Sequence, residues 1–167
     1  MKNKLSINLE VSLVEIILSV LIFAAAGVIM LNCFAIARFT QIKANDKVTA
    51  GNIVQSDLEF IKSSASSNEV DKFLLNTYSV NQDNENSQLY IKYYDKNWNL
   101  CSDGENEYII SLEVSNSQVN AGEMKSLSIM AEKTDPYPFI NNDEGKTVLI
   151  YSIHTKKFFP DFNMEAD

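Results

Sequence analysis

The hydrophobic and polar positions divide the chain into an apolar beginning and a polar remainder. From Ile16 to Ala37, a run of 22 residues carries no charge. At about 1.5 Å per residue such a helix is about 33 Å long, enough to cross a hydrocarbon core of about 30 Å. The run is also longer than the apolar region of a secretory signal, usually about 7–15 residues. The pattern predicts a transmembrane helix over residues 11–37, after a short leader at residues 1–10.

Beyond Ala37 the apolar residues recur at three- and four-residue steps with polar residues between them, which is typical of an amphipathic helix. Gly51 is the weak point of this stripe, and no proline occurs before Pro136. The serine-rich segment at 63–68 is the first strong stop signal. The same helix is therefore expected to continue over residues 38–64. The stripe consists of Phe39, Ile42, Ala50, Ile53, Val54, Leu58 and Ile61.

The remainder, residues 65–167, has the pattern of a small globular α+β head domain. A helical segment at 70–75 and a polar loop at 81–86 precede four segments with strand-like alternation. Turn residues separate these segments at 103–104, 121–122 and 144–145. The short connections favour an antiparallel meander, so we expect a long helix packed on a four-stranded antiparallel sheet. The predicted one-face sets are Leu89/Ile91/Tyr93, Tyr108/Ile110/Leu112/Val114, Leu127/Ile129/Ala131 and Leu149/Tyr151/Ile153.

The composition argues against several classes of function. The chain has Lys+Arg 14 and Asp+Glu 22, a formal net charge of −8, and no basic run, which argues against contact with a nucleic-acid backbone. Two cysteines and one histidine are too few for a disulfide scaffold or a four-ligand zinc site. The sequence contains no phosphate loop, dinucleotide fingerprint or nucleophile–base arrangement. We therefore expect neither an enzyme nor a bound cofactor or metal.

The cysteines and the histidine have simple interpretations. Cys33 lies in the predicted span and Cys101 near a turn outside it, so an internal disulfide is not expected. Cys101 is then either a free thiol or an intermolecular partner. His154 is interpreted as a surface residue at the end of a strand, because no nucleophile motif surrounds it.

Two polar loops and one aromatic cluster also have simple interpretations. The acidic loop at 103–107 lacks the ligand spacing of an EF-hand, so a solvated turn is expected there, as around Asp83 and Glu85. Trp98 lies close in sequence to three tyrosines, and cross-strand packing explains such a cluster. A ligand-binding face is the alternative. The tyrosines are Tyr90, Tyr93 and Tyr94.

A single acid stands at the start of the apolar run. Glu15 lies where the predicted helix enters the bilayer. A carboxylate near mid-membrane costs about 2.5–3.5 kcal/mol on insertion scales, and less near the interface. Glu15 is either an interfacial acid that reaches water or a group held there to meet a cation. Basic residues flank the span on both sides, so charge alone leaves the orientation open.

The segment from Val11 to Ile22 resembles the N-terminal motif of type IV pilins and pseudopilins. In that family a short basic leader ends in glycine, and a segment like Phe-Thr-Leu-x-Glu opens a long hydrophobic helix. Here residues 1–10 would be the leader, and Val11-Ser-Leu-Val-Glu15 would occupy the motif. The resemblance covers about 25 residues closely and implies a pilin-like α+β fold.

The resemblance also implies a function. The chain would be a structural subunit, in particular a minor one, of a type IV pilus-like or secretion-pseudopilus-like filament. A prepilin peptidase would cut between Glu10 and Val11 on the cytoplasmic side, the new N-terminus would be methylated, and an assembly machine would extract the subunits. The head domain would lie outside the membrane, and the partners would be other pilin-like subunits, bound through the N-terminal helix. Glu15 would pair with the N-terminal amine of a neighbouring subunit.

Small and polar residues inside the span fit helix association. Ala24, Ala25, Ala26 and Gly27 offer a surface for close approach, and Asn32 can hydrogen-bond another helix. These residues also occur in ordinary membrane anchors.

The motif departs from the family pattern at its cleavage site. Glu10 occupies the place of the glycine and Val11 that of the phenylalanine. If the leader is retained, Lys2 or Lys4 becomes the available partner for Glu15. Two other hypotheses remain: a single-pass anchored extracellular binding or sensory domain, and a secreted protein cut near residues 24–26.

Overall fold

The computed structural model describes residues 3–84, 87–120, 122–138 and 147–160, with side chains described from residue 13 onward except at 82–84. The chain forms two compact units, Met1–Gln41 and Ile42–Asp167, called here the N-terminal unit and the C-terminal unit. The elements in chain order are α1 (Asn3–Ser63), α2 (Ser67–Thr77), β1 (Ser79–Asn84), β2 (Ser87–Tyr94), β3 (Tyr108–Val119), β4 (Gly122–Lys133) and β5 (Val148–Pro160).

Helix α1 is continuous over 61 residues and ends where the serine-rich segment predicted. The Ser64 amide bonds to the Phe60 carbonyl at 3.0 Å, and the Ser64 hydroxyl donates to the same oxygen. Helix α2 then begins with a reciprocal cap. Ser66 accepts from the Glu69 amide, and the Glu69 carboxylate accepts from the Ala65 amide at 2.8 Å. The predicted second helix is confirmed.

The sheet is an antiparallel meander in the order β1-β2-β3-β4-β5. The α+β layout of a long helix packed on an antiparallel sheet is confirmed, but the prediction of four strands is wrong. The additional strand is β1, where the polar residues 81–86 had predicted a loop. Edge strands need no apolar alternation, because the backbone of β1 pairs with β2 on one side while its other side can face water. Asp83 lies on β1, and its side chain and Glu85 lie outside the described residues.

The sheet turns one face toward α1 and α2. The predicted one-face sets of β3 and β4 lie on this face, with Ile110, Leu112 and Ile129 fully buried. They pack against four residues of α1 and two of α2 that are also buried. These residues are Ala50, Val54, Leu58, Ile61, Val70 and Leu74.

The predicted faces of β2 and β5 need correction. On β2 the predicted set of Leu89, Ile91 and Tyr93 does share one face, but it is the other face, with Tyr90, Lys92 and Tyr94, that is in register with the β3 core. On β5 the pairing with β4 shifts between Ala131 and Glu132, so the alternation changes phase. As a result Val148 and Ile150 are buried and Leu149 is 52% exposed, whereas Tyr151 and Ile153 pack against the core as expected.

The aromatic cluster is largely a packing feature, as predicted. Trp98 lies in the β2–β3 connection with a φ of 63°, and its ring stacks on Tyr108 at 4.0 Å. Tyr94 lies 5.8 Å from the Trp98 ring, but Tyr90 contacts Tyr78 instead. The connection continues through a turn at Gly104, whose φ is 92°. The predicted turn at 144–145 lies outside the described residues.

Gly51→Ala is expected to stabilise the C-terminal unit by about 0.5–1 kcal/mol. Alanine is favoured over glycine inside a helix by about that amount. A Cβ at position 51 would lie 3.7 Å from the Tyr151 ring, an ordinary van der Waals contact. The midpoint of urea unfolding of the full chain in detergent micelles should therefore rise. A lower midpoint would show that α1 and β5 approach more closely than described.

Candidate functional site

The first candidate site is the apolar face of α1 in the N-terminal unit. From Leu13 to Ile36 the large apolar side chains all project from the helix and are about half or more exposed. Within the described residues, Leu13–Ser63 is the one helix that is long and apolar enough to cross a membrane. The exposed residues are Leu13, Val14, Ile16, Ile17, Leu18, Val20, Leu21, Ile22, Phe23, Val28, Ile29, Met30, Leu31, Phe34 and Ile36.

Two hydroxyl groups of the N-terminal unit bond to carbonyls of their own helix. The Ser19 hydroxyl donates to the Glu15 carbonyl at 2.8 Å, and the Thr40 hydroxyl donates to the Ile36 carbonyl at 2.9 Å. Such bonds let a hydroxyl sit in an apolar environment. The Glu15 carboxylate is different. It is exposed, and none of the side chains that the structure describes forms an ion pair with it.

The predicted packing residues lie on more than one face of α1. Along an ideal helix, Glu15 and Ala26 are separated by about 20° of rotation, and Ala25 and Asn32 by about 20° on another side. Gly27 is open, since a Cβ there would meet nothing within 4 Å. Ala24 is exposed like its neighbours. The helix can therefore meet more than one neighbour, whereas the side chains of Glu10 and Val11 lie outside the described set.

A buried ion pair joins α1 to the sheet in the C-terminal unit. The Lys92 ammonium lies 2.7 Å from Asp57 Oδ2, and the two side chains are only 6% and 12% exposed. The Tyr78 hydroxyl donates to the same oxygen at 2.5 Å. Burial, together with the Asp57 charge, raises the pKa of Tyr78 and raises the pKa of Tyr94 to about 12. Asp57 is thus the shared acceptor of a cluster that the sequence analysis did not find.

A second acid of α1 makes a similar buried contact. The Tyr137 hydroxyl donates to Asp46 Oδ2 at 2.7 Å. Burial and the nearby Asp46 carboxylate raise the pKa of Tyr137 and of Tyr108. Asp46 and Asp57 are both buried and lie on the same stripe of α1 as its core residues. An acid at a stripe position was the sequence signal that could have found both clusters.

Two lysines of the sheet fix the helix ends. Lys125 on β4 is fully buried, and its Nζ lies 2.8 Å from Asp71 on α2 and 3.5 Å from Glu123. Lys157 on β5 donates to the carbonyls of Ile61 at 3.1 Å, of Ser64 at 2.7 Å and of Lys62. These carbonyls lie at or just beyond the C-terminus of α1, where a cation also complements the helix dipole. Lys125 and Lys157 therefore act as structural anchors.

The second candidate site is a groove of about 440 Å³ on the sheet face opposite the helices. Small serine side chains form its floor, between Glu113 on β3 and both His154 and Lys156 on β5. Ser128 pairs with His154 and Ser126 pairs with Lys156, so the small side chains of β4 lie beside the larger side chains of β5. The arrangement can hold a small polar ligand, and His154 lies exposed within β5 rather than at a strand end.

The described part of the chain contains neither a cluster of metal ligands nor a disulfide bond. No three His, Cys, Asp or Glu side chains there are placed to hold a metal ion. Cys33 and Cys101 are both free thiols.

Comparison with known proteins identifies no relative. No family model, no curated protein and no solved structure matches the chain.

Proposed function

We propose that the chain is a pilin-like structural subunit that is anchored in a membrane and assembles into a filament through its N-terminal helix. The observation that carries the proposal is the apolar segment of α1, whose side chains are exposed on every side and carry one acid, Glu15, at the beginning. A helix that is hydrophobic all round requires lipid or other helices around it. An acid in such a surface implies a cation on another molecule.

The proposal includes an orientation and a set of partners. The N-terminus lies in the cytoplasm and the C-terminal unit outside the membrane, on a cell-surface filament once the subunit is extracted. The partners are other pilin-like subunits, with a prepilin peptidase and an assembly machine where the leader is removed at Glu10–Val11. Identification of the N-terminal residue of the exported protein tests that removal.

Glu15→Ala is expected to abolish assembly while leaving membrane insertion intact. The alanine removes the only charge of the apolar segment, which eases insertion but deletes the group that meets the neighbouring subunit. Cross-linking of the full chain in membranes measures assembly as the amount of multimers. The amount of protein that resists alkaline extraction measures membrane insertion. Glu59→Ala is the matched control, because Glu59 is an exposed acid on the same helix, hydrogen-bonded to Gln55. If the Glu15→Ala variant formed as many multimers as the wild type, the proposal would be refuted.

The alternative is a single-pass anchored binding or sensory domain. The groove between Glu113 and His154 favours it, because a polar groove open to solvent suits a small ligand. This function predicts that Glu15→Ala has no effect on ligand binding and that Ser128→Trp, which fills the groove, abolishes it. Glu15→Ala should therefore lose function only in the filament subunit, and Ser128→Trp only in the binding domain.

A further inference from the structure

Two opposite charges bracket the apolar segment of α1. Glu15 and Arg38 are 23 residues apart, and no other charged residue occurs between Leu13 and Ile42. Both side chains are exposed. In the described set of side chains, neither forms an ion pair. The apolar surface thus ends in an anion on one side and a cation on the other.

The continuity of α1 fixes the geometry of this pair. Because the helix is unbroken between them, the two residues are about 34 Å apart along the axis and about 140° apart around it. They cannot reach each other within one molecule. They also cannot form a closed antiparallel dimer with two equivalent ion pairs, since that would require both charges on one face of each helix.

We propose that Glu15 of one copy pairs with Arg38 of a neighbouring parallel copy displaced by about 34 Å along the helix axis. This inference rests on the proposed filament function and names the register of its contact. Two different surfaces of the helix meet, so the contact is heterologous and repeats into an open row of subunits. Arginine suits the role because its guanidinium can hold a carboxylate with two parallel hydrogen bonds.

The displacement matches the thickness of a membrane. A subunit moved outward by about 34 Å has crossed a hydrocarbon core of about 30 Å, so its Glu15 reaches the level of Arg38 in a copy that still spans the membrane. Glu15 leaves the water at one interface and meets a cation near the other. The ion pair offsets part of the cost of carrying the carboxylate through the apolar region.

Disulfide trapping tests the register in the full chain. In a Cys33→Ala, Cys101→Ser background, Leu18→Cys with Gln41→Cys keeps both charges and reproduces the separation of 23 residues. Oxidation of membranes should give a ladder of multimers. Leu18→Cys alone is the control for neighbours with no displacement. Leu18→Cys with Ile29→Cys is the control for a displacement of about 16 Å along the helix axis. Multimers only in a control would overturn the register but leave the filament, whereas monomers in every variant would refute both.

Charge variants test the ion pair itself. Arg38→Gln should lower the yield of the 18–41 ladder at least about tenfold, whereas Lys43→Gln, at the next cation along the helix, should not. Exchanging the charges, with Glu15→Arg and Arg38→Glu together, should restore it. If Arg38→Gln has no effect but Lys2→Gln with Lys4→Gln removes the ladder, the partner is the leader and the inference is wrong.

Discussion

Asp57→Ala is expected to destabilise the C-terminal unit by about 3–5 kcal/mol, because it leaves the Lys92 ammonium buried without a counter-charge. The Nζ of Lys92 lies 2.7 Å from Asp57 Oδ2, and its side chain is 6% exposed. The same oxygen accepts from Tyr78, so the change removes two buried hydrogen bonds. Against a typical total of about 5–15 kcal/mol, this loss is a large part of the free energy of unfolding.

Urea unfolding of the full chain in detergent micelles measures the effect. Trp98 is the only tryptophan and stacks on Tyr108, so its fluorescence reports on the C-terminal unit. With a slope of about 1–3 kcal/mol per molar urea, the midpoint should fall by about 2 M. Glu59→Ala is the control on the same helix and should change stability by less than about 0.5 kcal/mol, since Glu59 is exposed.

A double replacement separates the charge from the packing. Asp57→Leu with Lys92→Met removes both charges and keeps apolar volume, so the protein should recover the loss except for about 1–3 kcal/mol, because the buried Tyr78 hydroxyl still lacks its acceptor. A loss below about 1 kcal/mol in Asp57→Ala alone would show that Lys92 reaches water and that the pair does not hold α1 against β2.

The long helix and the central strands were predictable because their patterns are local. A charge-free run followed by a stripe at helical spacing defines α1, and the serine-rich segment defines its end. The alternation of Tyr108 to Val114 defines β3, because one face of that strand is buried and the other is more exposed. In each case the period of the sequence reflects a direct contact with the core.

The missed features depend on distant partners. Tyr90, Lys92 and Tyr94 face the helices, although a lysine and two tyrosines are less hydrophobic than Leu89 and Ile91. Lys92 is stable there because Asp57, 35 residues earlier, supplies the counter-charge. The contact of Asp46 with Tyr137 spans 91 residues. An acid within a stripe predicts that a partner exists, but local spacing does not say which residue it is.

On the proposed assembly surface the residue is evident from the sequence, but its partner is not within the same chain. Glu15 is conspicuous in the sequence because it is the only charge in its segment, and the structure places it on the exposed helix as expected. Under the proposed function its partner belongs to another molecule, so the fold of one chain does not fix it. The sequence therefore identifies the residue, and the helix geometry adds the separation and angle that a partner must match.

Raising the pH above 10 is expected to unfold the C-terminal unit through its buried tyrosines. Burial, with Asp57 nearby, raises the pKa of Tyr78 and raises that of Tyr94 to about 12; burial, with Asp46 nearby, raises the pKa of Tyr108 and Tyr137. In the unfolded chain these phenols ionise near 10.0. The folded state therefore holds more protons above pH 10, and stability falls as the pH rises.

The four tyrosines together make this decline steep. Each contributes about 1.4 kcal/mol per pH unit while it is ionised only in the unfolded state, so the four contribute about 5–6 kcal/mol per unit. Their contribution is complete below pH 10. For Tyr94 it is lost between pH 10 and about 12, and for the other three tyrosines, whose pKa values are raised further by burial, the loss continues above that range. The phenolate absorbance of these four tyrosines should therefore change together with the near-ultraviolet circular dichroism in one cooperative step.

Tyr94→Phe provides the test of mechanism. It keeps the ring against Trp98 and removes one ionisable hydroxyl, so the slope of stability against pH should fall by about 1.4 kcal/mol per unit. If the phenols instead ionised gradually near pH 10 while the circular dichroism stayed constant, water would reach these hydroxyls in the folded protein. The contact of α1 with the sheet through Asp46 and Asp57 would then be open rather than buried, and the prediction for Asp57→Ala would fail with it.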